Sequence, residues 1–181
     1  APGSVFKLIT YGSALEKGLI TPDAMIDSGN GTIEIAKGRI LVDDRARTSD
    51  PDIVAAGDCA NHRIERYGRR VRLECVSATT EHAKIAAATI CDNTTGRAAL
   101  PWFWSDQYDL KLQIAGLNTG YDEVLVSGDP AHGRDFTCYY LTAGELIAAD
   151  CVNRPADFVT AKRAIAQRAP IVRSELIGAA P

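Results

Sequence analysis

The stretch Thr48-Ser49-Asp50-Pro51-Asp52-Ile53-Val54-Ala55-Ala56-Gly57-Asp58-Cys59-Ala60 holds the residues best placed for chemistry. A polar turn feeds a short apolar run that stops at Gly57-Asp58. This is the pattern of a buried strand delivering one carboxylate to the open end of a sheet, where α/β folds collect ligands. Gly57 permits close backbone approach, and Asp58 can accept hydrogen bonds from sugar-like hydroxyls. The same letters also suit a plain strand whose Asp caps the following turn. A second candidate is Ser4, three residues before Lys7. One helical turn puts a Lys amine beside a Ser hydroxyl, the pairing of a nucleophile with its base. The histidines at 62, 82 and 132 are scattered, and the cysteines at 59, 75, 91, 138 and 151 show no C-x-x-C spacing. Neither a metal centre nor a disulfide framework is expected, and a reducing cytoplasm is the expected setting.

The whole chain is 181 residues long, enough for one domain or two small ones. A net charge of −3 argues against a nucleic-acid partner. Arg63, Arg66, Arg69, Arg70 and Arg72 do cluster, but Glu65 and Glu74 interrupt them and no aromatic platform accompanies them. A solvated face or a patch for an acidic partner both fit that composition. No apolar run approaches the ~20 residues of a membrane span, and Lys7 with its polar neighbours breaks any signal-peptide pattern.

The elements that must position these residues follow from periodicity. Residues 4–17 read as an amphipathic helix, and residues 32–35 and 39–42 as a hairpin around Lys37-Gly38. Residues 53–56 read as a buried strand, 61–70 as a polar loop, and 77–91 as an Ala-rich helix that Ser77 can cap. Beyond a linker at 92–97 the character changes. Residues 102–116, 122–128, 135–141 and 144–152 read as strands, and 155–168 as a helix opened by Pro155 near N1 and stopped at Ala169-Pro170. The expected fold class is α+β. A partial α/β segment comes first, followed by a three- or four-stranded antiparallel sheet with one helix packed on it.

Residues 38–175 resemble the C-terminal part of the FAD-dependent NAD(P)H:ferredoxin reductases that serve rubredoxin, putidaredoxin and ring-dioxygenase ferredoxins. The resemblance rests on the Gly57-Asp58 strand end and on Arg72-Leu73-Glu74-Cys75-Val76. It continues through Leu100-Pro101-Trp102-Phe103-Trp104-Ser105-Asp106-Gln107-Tyr108-Asp109 and ends with Ala148-Ala149-Asp150-Cys151-Val152-Asn153-Arg154-Pro155. It implies FAD as cofactor and a ferredoxin-type acceptor as partner. It also implies that Gly57-Asp58 meets a ribityl hydroxyl and that the backbone N–H of Val76 meets the flavin ring. Trp104 is implied to pack near the isoalloxazine, although a core or interface aromatic is the plainer reading of that residue. Where the family often carries Asn and Gln, this chain has Ala78 and His82.

Residues 1–37 resemble instead the active-serine segment of the penicillin-binding protein transpeptidases, through Ser4-Val5-Phe6-Lys7, Ala14-Leu15-Glu16-Lys17-Gly18 and Ile26-Asp27-Ser28-Gly29-Asn30-Gly31. No K-T-G follows, so an acyl-serine enzyme is the remote alternative. The chain thus reads as a composite of three parts: 1–37 transpeptidase-like, 38–96 the C-terminal part of an FAD-binding domain, and 97–181 a reductase C-terminal domain. It has no G-x-G-x-x-G to cradle a pyrophosphate, so FAD is expected to bind weakly or not at all. No catalytic residue and no metal ligand is assigned, and the chain alone is expected to be inactive. A non-catalytic interaction or dimerisation module is the alternative, and self-association is expected from apolar surface that the truncated half-domain around residues 38–92 exposes.

Overall fold

The computed structural model describes residues 26–27, 32–33, 35–36, 39–93 and 99–177. The expected helix over 4–17, with Ser4 and Lys7, lies outside them. The chain divides into two units, Ala1–Ala98 and Ala99–Pro181.

In the first unit β1 (Ile26–Asp27) pairs antiparallel with β2 (Thr32–Ile33). A separate four-stranded sheet has the order β3-β4-β5-β6, built from β3 (Ile35–Ala36), β4 (Arg39–Leu41), β5 (Ala60–Ile64) and β6 (Arg69–Val71). The β4–β5 pair is parallel, with Ile40 opposite Ala60 and Leu41 opposite Asn61. The helix α1 (Val76–Ile90) then turns Ile85 and Ala86 onto Ala46, Val54 and Ala56.

Three expectations for this unit are corrected. Residues 53–56 are not a strand: only Val54 forms a bridge, to Arg47, and Ala55 N–H donates to the Ala46 carbonyl at 2.9 Å. Ala46 sits at a left-handed φ of 61°, which bends its segment away after that single rung. The apolar run reported burial there, not pairing. Residues 61–70 are not a loop but the β5–β6 hairpin, turned through a 3₁₀ segment Glu65–Tyr67 and a left-handed Gly68. The inward positions of β5 are Ala60 and His62, so a polar residue stood where alternation looks for an apolar one. Ser77 does not cap α1. The helix begins one residue earlier, its cap is Cys75 in extended conformation, and Ser77 is buried inside the first turn.

The second unit is a five-stranded antiparallel sheet of order β7-β8-β11-β10-β9. Its strands are β7 (Trp102–Gln107), β8 (Leu110–Gly116), β9 (Glu123–Gly128), β10 (Phe136–Thr142) and β11 (Glu145–Val152). One strand more than expected arises because residues 102–116 fold back on themselves at Tyr108, whose φ is 56°. No glycine or proline marks that turn, and its sequence gave no break.

Register sorts the side chains of this unit. Trp102, Ala115, Ala149, Tyr139 and Leu125 form one row across the five strands, and Trp104, Gln113, Cys151, Thr137 and Ser127 the next row on the same face. The helix α2 (Pro155–Gln167) lays Phe158, Ala161 and Ile165 on that face. Thr137 Oγ1 donates to Asp157 Oδ2 at 2.9 Å, tying the sheet to the first turn of α2. A short α3 (Arg173–Ile177) reaches β9 through Arg173 and Glu123, 2.7 Å apart. Gly128 is required: at φ 89° an added Cβ would lie 2.6 Å from the Asp135 carbonyl. The protein is α+β, as its patterning implied.

Candidate functional site

Gly57 and Asp58 open a 3₁₀ turn, Gly57–Cys59, between the extended segment and β5. Gly57 has φ 81°, a conformation in which a side chain would be strained. The turn packs against α1. The buried N–H of Gly57 donates to Nδ1 of His82, on the second turn of that helix, at 3.2 Å. This bond assigns His82 its proton on Nε2 when neutral.

His62, from β5, stacks on His82 with ring centroids 3.7 Å apart and planes 27° from parallel. Burial holds His62 far below its usual pKa, to about 3, and the neighbouring His82 and Arg70 push the same way. His62 Nε2 has no hydrogen-bond partner among the described residues. Arg70 is held by the carbonyls of Val42 and Asn61, both at 2.9 Å. Two of the three histidines that looked scattered along the chain, His62 and His82, therefore form one stacked pair, with His82 bonded to the Gly57-Asp58 turn. Their separation by twenty residues and by a change of element left no spacing to read.

Val76 is the first residue of α1 and is 46% exposed. The Cys75 side chain makes no capping hydrogen bond to this helix, whose start carries the positive end of its dipole. A glycine turn that admits close approach, a carboxylate beside it and a helix start are the parts that a polyhydroxyl chain and a ring carbonyl require. Among the described residues no group of three or more His, Cys, Asp or Glu side chains could hold a metal ion.

Trp104 belongs to the second unit. It stands in the middle of β7, opposite Gln113, and is 39% exposed. It is not a core aromatic. Trp102, on the same face, stacks on it with centroids 5.2 Å apart and planes at 26°. Trp102 also leans on Phe158, and the Lys162 ammonium lies 4.3 Å from its ring centroid. The opposite face of the sheet carries Phe103, Val124 and Val126, each about 40% exposed. At its centre Tyr140 donates to Asp150 at 2.8 Å, and burial raises the pKa of both groups. Burial also raises the thiols of Cys138 and Cys151, so neither is disposed to act as a nucleophile.

Residues 102–180 match the Reductase C-terminal family. Relatives that match three quarters or more of the chain are named as putidaredoxin or ferredoxin reductases. Putidaredoxin reductase of Pseudomonas putida is 40% identical over 154 residues, covering 85% of this chain and 36% of that protein. A ferredoxin–NAD(P)(+) reductase of Sphingomonas sp. is 44% identical over 139 residues, covering 75% of this chain and 33% of the relative. Among solved structures, the covalent putidaredoxin reductase–putidaredoxin complex matches with TM-score 0.75 at 39% identity, over 80% of this chain and 34% of that one. A ferredoxin reductase from Rhodopseudomonas palustris matches with TM-score 0.73 at 27% identity, over 96% and 52%. The chain thus spans about a third of the length of these curated relatives and corresponds to a C-terminal portion of them.

Proposed function

We propose that this chain is the portion of a flavoprotein oxidoreductase that holds one side of FAD. The protein as a whole would take a hydride from NAD(P)H and pass single electrons to a ferredoxin-type acceptor. The observation that carries this reading is the Gly57-Asp58 turn, braced by His82 from the second turn of α1. It stands in a chain 40% identical over 154 residues to a reductase.

Each residue has a role. Gly57 keeps the turn open to close approach, and Asp58 accepts from a ribityl hydroxyl. The Val76 N–H and the helix dipole favour electron density at the pyrimidine end of the ring. Trp104 presents an aromatic face on the electron-transfer side. FAD, when bound, supplies the exchange of two-electron for one-electron chemistry. The protein's own part is to orient the ring, exclude water and set its electronics.

The chain alone is an incomplete site. It carries no Gly-rich loop for a pyrophosphate, and hydride transfer needs the nicotinamide held in contact with the flavin. With NADH or NADPH, excess FAD and a dye acceptor, purified chain should show no turnover above free FAD. Robust turnover that Asp58→Ala or Trp104→Ala abolishes would overturn this.

Three finer features belong to the same reading. The chain is a composite in which residues 1–37 are a transpeptidase-like segment without acyl-serine activity, joined to flavin-domain residues 38–96 and an interface domain at 97–181. A fluorescent penicillin should leave it unlabelled, and labelling lost in Ser4→Ala would refute that. The chain resides in the cytoplasm, which fractionation of the source cells tests. No helix among the described residues is long and apolar enough to cross a membrane. The apolar outer face formed by Phe103, Val124 and Val126 favours association. Light scattering should report a dimer or larger species, and a clean monomer at high concentration would contradict it.

A further inference from the structure

Trp104 is more than a third exposed and stands on β7, which pairs only with β8 among the described strands. An indole in that position, left to itself, samples several rotamers. Its neighbour Trp102 does not have that freedom. Trp102 is half-buried, packs into the core with Phe158 at 5.8 Å between centroids, and has Lys162 Nζ 4.3 Å from its ring centroid. Lys162 also lies 5.6 Å from the Phe158 ring. It comes from α2, one turn beyond Phe158, so a rigid helix sets where the ammonium stands relative to the sheet.

We propose that Lys162 is a positioning residue for Trp104. It pins the Trp102 ring by a cation–π contact, and the Trp102 ring, stacked at 5.2 Å and 26°, fixes the angle at which Trp104 is presented. Three side chains on two elements thus form a relay of orientation: ammonium, fixed indole, exposed indole. The attraction of a cation for an indole face is directional and strengthens as water is excluded, which suits a half-buried ring better than an exposed one. That Trp104 is the ring a flavin or its acceptor meets rests on the proposed function. The orientation relay does not.

Two indoles stacked this closely couple their transitions, so their mutual angle is readable by circular dichroism of the chain without any cofactor. The chain should show an exciton couplet that Trp104→Phe and Trp102→Phe each abolish. Lys162→Met should reduce its amplitude about two- to fivefold, the change in rotamer population that loss of one cation–π contact produces. Lys162→Arg should restore it, because a guanidinium serves the same ring. Thermal melts run alongside identify variants that lose the fold. An unchanged couplet in folded Lys162→Met, or no recovery in folded Lys162→Arg, overturns the proposal. Should Lys162→Met not fold, Lys162→Gln takes its place under the same criteria. If the couplet responds as stated while Trp104→Phe leaves FAD titration unchanged, the positioning role stands and the flavin-facing role of Trp104 falls.

Discussion

Gly57 illustrates how much of the candidate site a single residue can disclose. Its letter and its place before Asp58 marked backbone that a ligand can approach closely, and the structure adds a φ of 81°, a conformation that favours glycine. Its partner could not be read, because His82 lies on another element and its bond to Gly57 is a product of the fold. His62 was hidden for the same reason, and its pKa, near 3, makes a prediction at this scale. The fold favours neutral His62, whereas the unfolded chain protonates it below its ordinary value of 6.5. The contribution to stability is complete above that pH. It is lost as pH falls from about 6.5 toward 3, by at most ~1.4 kcal/mol per unit. Urea melts across this range should show that slope in the first unit, and His62→Phe should flatten it. A slope unchanged in that variant would show that other groups govern acid stability.

At the scale of elements, legibility followed chemistry. The α2 helix was readable because Pro155 at N1 and the spacing of Phe158, Ala161 and Ile165 are local signals, and it runs Pro155–Gln167. The strands of the second unit were readable where alternation met a buried face, as in β10 and β11. The β5–β6 hairpin was not, because His62 replaces an apolar residue on the inward side and arginines crowd the rest. The turn at Tyr108 was missed because a tyrosine adopts the positive φ that a glycine would have announced. The α2–sheet contact is what makes the second unit cohere. Ile165 is fully buried at its centre. Ile165→Ala should therefore cost about 2–5 kcal/mol, the range for emptying such a site. A calorimetric melt would test this. A loss below about 1 kcal/mol would mean that the helix–sheet seam collapses to fill the gap and that α2 is a weaker brace than its burial implies.

At the scale of the molecule, each unit carries its own candidate feature: the first the turn and helix start, the second the exposed indole. In the proposed reading the first unit meets a flavin on one side only, because the sequence has no G-x-G-x-x-G to supply the interactions of a pyrophosphate loop. The central claim is that Asp58 and its turn make a genuine, if partial, flavin site. It is tested most directly by titrating FAD against the purified chain and following flavin fluorescence. The account predicts weak, saturable binding that Asp58→Ala weakens by about ten- to hundredfold, the value of one hydrogen bond to a charged group, with circular dichroism unchanged. A titration that does not saturate, or one that Asp58→Ala leaves untouched, would contradict it.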